Sequence, residues 1–155
     1  MNSTFKKLNF SGQADVFVLN APESFQSVLD DMRDLTTLHA EVTPQHRPAF
    51  ILTFTMKQAE VDAFADLLAA QTEGDAVVWV AYPKGTSKRY TCEFNRDNGW
   101  TRMGEHGFEP VRQVAIDEDW SALRFRRVQF IKTMKRGGAI SEEGQKRIRS
   151  NNPGR

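Results

Sequence analysis

Residues 76–82, AVVWVAY, form an apolar run without a break. A strand with one wet face alternates apolar and polar positions. A strand that does not alternate has both faces covered, as at the centre of a parallel sheet flanked by helices. The run ends in the basic, glycine-containing stretch PKGTSK, residues 83–88. Ligands of open α/β sheets gather at the C-terminal ends of the strands, so this stretch marks both the middle of a fold and the first place to look for a site.

The segments on either side fit that frame. Residues 49–55 (AFILTFT) read as a strand introduced by Pro48. A helix over residues 57–70 follows, with Thr55 as its candidate N-cap. Val61, Phe64, Ala65 and Leu68 fall on its buried face, and Glu60, Asp62 and Asp66 fall outside. Strand, helix, strand in that order is a parallel pair joined by a right-handed crossover.

Upstream, residues 15–20 (DVFVLN) are a β-rich run, and the NAPES turn of residues 20–24 switches it to a helix. Pro22 suits a first helical turn and Glu23 suits its positive end. Phe25, Val28, Leu29 and Met32 then recur at three and four residues, as far as Arg33. Residues 35–41 (LTTLHAE) are a weaker strand. The linker of residues 42–48 is shorter than the dozen or so residues of a usual parallel crossover. That segment is therefore antiparallel, displaced elsewhere in the sheet, or not a strand. Residues 1–14 show no periodicity and read as a lead-in.

Downstream, residues 90–95 fit no single element. Residues 97–106 read as a short helix carrying Trp100 and Met103, closed by Gly107 in a left-handed C-terminal cap. Residues 109–116 and 120–128 make an antiparallel hairpin around Asp117, Glu118 and Asp119. The expected architecture is a single three-layer α/β domain over residues 1–130. Its mixed sheet has five or six strands, a parallel centre and a C-terminal antiparallel hairpin. Residues 131–155 are expected to be a mobile basic tail.

Composition bounds the function classes. A chain of 155 residues with 11 Phe and 3 Trp has the material for a real core. No stretch reaches the ~20 apolar residues of a membrane span, and the start has no signal-peptide core. The expectation is a soluble, cytoplasmic protein that makes no membrane contact. Cys92 is the one cysteine, so an internal disulfide is excluded; with no activating base beside it in sequence, it reads as a packing residue. Residues 121–155 carry ten Lys and Arg against two Glu, a net of +8, on a body of net −7. The tail either folds against that acidic body or makes a weak, sequence-independent contact with nucleic acid.

Two sets of residues carry candidate chemistry. Lys84, Ser87 and Lys88 follow the central strand, and Asn20, Glu23, Ser24 and Thr55 stand at the ends of the neighbouring strands. Together they form a possible site for an anion, since lysines and helix N-terminal amides both favour one. The plainer reading is a solvated basic loop, and it weighs more. The second set is Trp120, Arg124 and Arg126, in one register of the last strand. They can stack a base or hold a carboxylate. The plainer reading, again the weightier, has an arginine pair with Asp117, Glu118 or Asp119 on an edge strand.

No catalytic motif, metal-ligand spacing or cofactor motif accompanies them. His39, His46 and His106 are scattered, no serine stands in a GxSxG context, and GTSK lacks the P-loop spacing.

Three blocks resemble a small bacterial family of uncharacterised proteins: VLNAPE at residues 18–23, WVAYPK at 79–84 with Ser87 and Lys88, and VAID at 114–117 with WSALRFR at 120–126. That resemblance covers about residues 8–128 and implies no activity. More broadly, the order of elements, with Gly107-Phe108 before a terminal hairpin, resembles class I methyltransferases in reduced form. The resemblance implies an S-adenosylmethionine site, but those enzymes place a glycine-rich turn after the first strand, and residues 20–24 contain no glycine. The reading that follows is a non-enzymatic binding or regulatory domain, with a small anionic ligand or a protein partner at the strand ends. A diverged methyltransferase-like transferase and nucleic-acid association through the tail are the alternatives.

Overall fold

The computed structural model describes residues 2–131; the expected basic tail lies outside the described residues. The elements in chain order are α1 (Ser3–Lys7), β1 (Asp15–Leu19), a 3-10 turn (Glu23–Phe25), α2 (Gln26–Asp30), β2 (Thr37–His39), β3 (Phe50–Phe54), α3 (Gln58–Gln71), β4 (Val77–Pro83), α4 (Thr101–Glu105), β5 (Phe108–Ala115), β6 (Trp120–Arg127) and a closing 3-10 turn (Val128–Phe130). The strands form one six-stranded sheet in the order β2-β1-β3-β4-β6-β5. Pairings from β2 to β4 are parallel, and β6 runs antiparallel to both neighbours. This is the expected α/β sheet with a parallel centre and an antiparallel C-terminal pair.

Every residue of β4 is buried, as its unbroken apolar run requires. Its side chains divide between the two faces. On one face Ile51, Val78, Val80, Leu123 and Phe125 meet Val61, Phe64, Ala65 and Leu68 of α3 and Met103 of α4. On the other, Val18, Phe50, Leu52 and Trp79 meet Phe5, Leu8, Phe25 and Met32.

The lead-in carries structure that its lack of periodicity does not signal. The Asn2 side chain accepts from Thr4 N at 2.8 Å and starts α1, which buries Phe5 completely. Leu8 is equally buried, and its carbonyl accepts a hydrogen bond from Trp79 Nε1 at 2.7 Å. One turn of helix leaves no room for a periodic signal, so only the tertiary contact reveals it.

The weak segment 35–41 is a three-residue strand displaced to the sheet edge, parallel to β1 and outside it. Because β2 is so short, the return to the start of β3 spans little height and needs no crossover helix.

Thr55 does not cap α3. The cap is Lys57, because β3 and β4 stay in contact past the last strand residue: Thr55 N and Oγ1 both donate to the Ala81 carbonyl, at 2.8 and 2.9 Å. The helix start is held instead by carboxylates. Glu60 Oε1 accepts from Met56 N and Lys57 N, both at 2.9 Å, and Glu93 Oε1 accepts from Gln58 N at 2.8 Å.

The last strand is not an edge strand. The chain leaves β4 through α4, skips one position to lay down β5 at the edge, and returns to insert β6 between them. Pro110, at an irregularity in the pairing of β5, sits where an edge tolerates a residue without a backbone N–H. Gly107 adopts φ +84, the left-handed cap expected of it. No helix among the described residues is long and apolar enough to cross a membrane.

Candidate functional site

Beyond the C-terminal end of β4, on the α3 side of the sheet, lies an open cavity of about 650 Å³. Its wall is built from three places. The end of β4 supplies Tyr82 and Pro83, the following loop supplies residues 84–87, 90–92 and 94–96, and the hairpin supplies Gln113 and Ser121. Lys84 and Arg96 line it, and no carboxylate does.

The loop that forms most of this wall is fastened to the first turn of α3. Glu93 N donates to the Met56 carbonyl at 3.0 Å while its side chain caps Gln58 N. Gln58 Nε2 donates to the Gly99 carbonyl at 2.7 Å, and Trp100 Nε1 donates to the Arg96 carbonyl at 2.9 Å. These bonds set Phe94 and Trp100 against the Tyr82 ring, with centroids 6.0 and 5.8 Å away.

The stretch 84–90 is tied down as well. Lys84 N donates to the Asp119 carbonyl at 2.8 Å, and Ser87 Oγ donates to Asp119 Oδ1 at 2.8 Å. The same Ser87 oxygen accepts from Arg89 N and Tyr90 N.

Of the first set of expected site residues, Lys84 and Ser87 are in the cavity wall, while Lys88 is exposed beside it. Asn20, Glu23 and Ser24 are exposed at the end of β1 and are not part of this wall. Thr55 is buried with its hydroxyl committed to Ala81.

The second set divides. Trp120 is 3% exposed, with its ring 5.1 Å from Phe54 and 5.0 Å from Tyr90, so no face is open to a base. Its Nε1 and the Nε of Arg124 are buried with no hydrogen-bond partner among the described residues. Arg124 reaches Asn9 Oδ1 at 3.1 Å, and burial together with nearby Arg126 and Arg112 lowers its pKa. Arg126 makes a two-pronged pair with Asp75, at 3.0 and 2.6 Å. The expected pairing with Asp117, Glu118 or Asp119 does not form, because those residues stand at the far end of β6, roughly 20 Å away along an extended strand.

Sequence reasoning missed Tyr82, Phe94, Arg96, Gln113 and Ser121. One signal was present: Tyr82 carries a polar tip, and it is the residue of the buried run that stands at the ligand end. Gln113 comes from a strand whose place at the sheet edge depends on β6 inserting beside β4.

Cys92, also in the wall, is half-buried. Burial pushes its thiol pKa up, the Phe94 backbone works against the rise, and the Glu93 and Glu60 carboxylates add to it. A thiol held protonated is a poor nucleophile. In the folded protein Cys92 is expected to react with iodoacetamide several-fold more slowly than free cysteine at pH 7.5, and at the free rate in urea. Equal rates in both states would contradict this placement.

His39 and His46, separate in sequence, come together around Phe17, with ring centroids 5.0 Å apart, and His39 Nε2 is 2.8 Å from Asp15 Oδ1. Among the described residues no three His, Cys, Asp or Glu side chains gather as a metal would require.

No protein-family model and no curated protein sequence matches the chain. Solved structures do. A SAM dependent methyltransferase from Aquifex aeolicus superposes with a TM-score of 0.54 at 8% identity, over 79% of this chain and 87% of that one. The N-methyltransferase NodS from Bradyrhizobium japonicum WM9 gives 0.50 at 12% identity, over 81% and 93%.

The residues here do not fit the methyl donor that such a sheet implies. After β1 the left-handed position is taken by Asn20, φ +59, and Pro22 follows, which has no N–H to offer. Past that turn, rings stand in a continuous row from Phe25 to Phe54 to Trp120 to Tyr90, with centroids 4.9, 5.1 and 5.0 Å apart. The chain thus has the Rossmann-like α/β fold of class I methyltransferases, without a glycine-rich turn after its first strand.

Proposed function

We propose that this chain is a non-enzymatic binding or regulatory domain that takes a small anionic ligand at the C-terminal ends of its sheet, beside Lys84. The observation that carries this reading is the cavity at the end of β4. Its volume falls within the ~300–1,000 Å³ of small-molecule sites, and its wall holds two cations and no carboxylate. A thermal-shift screen over nucleotides, phosphosugars and carboxylates tests it. A ligand at 100 times its Kd stabilises by about 2.7 kcal/mol. For a chain of this size that raises Tm by roughly 5–10 °C. The rise is expected to shrink in Lys84→Ala, and a screen in which no anion shifts Tm in a Lys84-dependent way would end the proposal.

The likeness of fold favours one second reading, a transferase that has kept the sheet and diverged at the donor turn. Calorimetry with S-adenosylmethionine separates the two: measurable heat of binding supports the transferase, and none removes it.

A further inference from the structure

Tyr82, Gln113 and Arg96 form a hydrogen-bonded chain whose direction is forced. Arg96 Nη1 lies 3.3 Å from Gln113 Oε1, and Gln113 Nε2 lies 2.9 Å from the Tyr82 hydroxyl. A guanidinium can only donate, so the amide oxygen of Gln113 faces Arg96 and its nitrogen donates to the phenol. The phenol oxygen is therefore the acceptor. Its own hydrogen has no acceptor among the described residues, and the residue is 4% exposed in a cavity wall. The hydrogen is thereby left to the open cavity, where the oxygen of a bound ligand can accept it. Burial, the largest influence on this phenol, raises its pKa against the pull of Arg96, so it keeps its proton at neutral pH.

A small anionic head group suits the wall, which offers two cationic side chains and a phenol and no free helix N-terminus. A polyphosphate is held by a cluster of free backbone amides or a helix N-terminus. Here Lys84 N, Ser87 N, Arg89 N, Tyr90 N and the Ser87 hydroxyl are bonded within the protein. At the start of α3, Met56 N and Lys57 N are met by Glu60 and Gln58 N by Glu93. Besides these the wall presents the Tyr82 hydroxyl, Lys84, Arg96 (which also faces Asp97 at 3.6 Å), the polar side chains of Thr86, Thr91, Asn95 and Ser121, and the rings of Phe94 and Tyr90.

Resting on the small-ligand reading above, we propose that the cavity binds an aromatic monocarboxylate of one or two rings, its carboxylate accepting from the Tyr82 hydroxyl between Lys84 and Arg96, its ring against Phe94 and Tyr90. The carboxylate completes the hydrogen-bonded chain at its Tyr82 end, and the ring covers the apolar wall.

Calorimetric titration of the full chain with 2-naphthoate, cyclohexanecarboxylate, 2-naphthamide and inorganic phosphate tests this. Naphthoate is expected to bind tightest. Tyr82→Phe and Arg96→Ala are each expected to weaken it roughly ten-fold or more, the worth of a hydrogen bond to a charged group. Arg96 is exposed, so its variant folds, and a melt verifies the fold of Tyr82→Phe. Naphthoate binding no tighter than cyclohexanecarboxylate, or binding undiminished in a folded Tyr82→Phe, overturns the assignment. Should phosphate or phosphosugars bind in a Lys84-dependent way while naphthoate does not, the aromatic class fails and the anion site stands. If no anion binds, both fail.

Discussion

Truncating Trp79 to alanine is expected to destabilise the protein by about 3–5 kcal/mol, the range for a large aromatic side chain removed from a core. Trp79 is wholly buried in the central strand, and its neighbours on that face include Phe5, Leu8, Phe50 and Leu52. Two effects add. The cavity left behind cannot be filled by strands fixed on both sides, and the Leu8 carbonyl loses its 2.7 Å donor. The variant Trp79→Phe separates them: it keeps most of the volume and leaves the carbonyl unpaired, for roughly 1–3 kcal/mol. Equilibrium urea unfolding followed by circular dichroism reads both. Tm for the alanine variant should fall by roughly 6–20 °C at this chain length. A loss under about 1 kcal/mol would mean that this ring is not the sheet's packing centre. A further consequence concerns the first residues. With the Leu8 anchor gone, amides in α1 should exchange with solvent faster than those of α3.

Gly99→Ala is the second large effect, and it bears on the candidate site. Gly99 has φ +89, where an L side chain costs about 1–2 kcal/mol. A methyl group there would also stand 2.7 Å from Phe94 Cβ and 2.8 Å from Gln58 Oε1. Neither neighbour gives way cheaply, because Phe94 is buried and Gln58 holds Asp62 and the Gly99 carbonyl. Overpacking adds about 1–3 kcal/mol, for a total of roughly 2–5 kcal/mol. Gly107→Ala is the control. Its φ is +84 and nothing lies within 4 Å of the added Cβ, so it should cost only the conformational part. If the two alanine variants are equally stable, the close approach at Gly99 is wrong. Since Phe94 and Trp100 set the wall beside Tyr82, Gly99→Ala should also weaken any ligand of the β4 cavity, and Gly107→Ala should not.

Much of the framework was legible because it rests on local pattern. The unbroken run at residues 76–82, the three-and-four spacing of Val61, Phe64, Ala65 and Leu68, and the left-handed Gly107 each report a constraint that their own segment must meet. The site was less legible. Lys84 and Ser87 could be placed at the end of a central strand, and both are in the cavity wall. The Ser87 hydroxyl, however, is bound to Asp119, from a turn well separated in sequence. The sequence pairs an arginine of the last strand with the nearby acids of the hairpin turn, but sequence proximity misleads in a strand, where each residue moves the chain roughly 3.3 Å further away. Arg126 instead pairs with Asp75, which stands before β4, the strand beside β6 in the sheet.

By itself, the amino-acid sequence determined that this chain builds an α/β sheet around residues 76–82, because a fully apolar strand needs both faces covered and the strand-helix order before it makes a parallel crossover. Tertiary structure alone decided three things: that β2 lies outside β1, that residues 2–8 close one face through Leu8 and Trp79, and that β6 inserts inside β5. The physical reason is common to all three. Each depends on a surface that exists only once other strands are in place. The last of them brings Gln113 to Tyr82, and so orients the Tyr82 hydroxyl in the cavity wall.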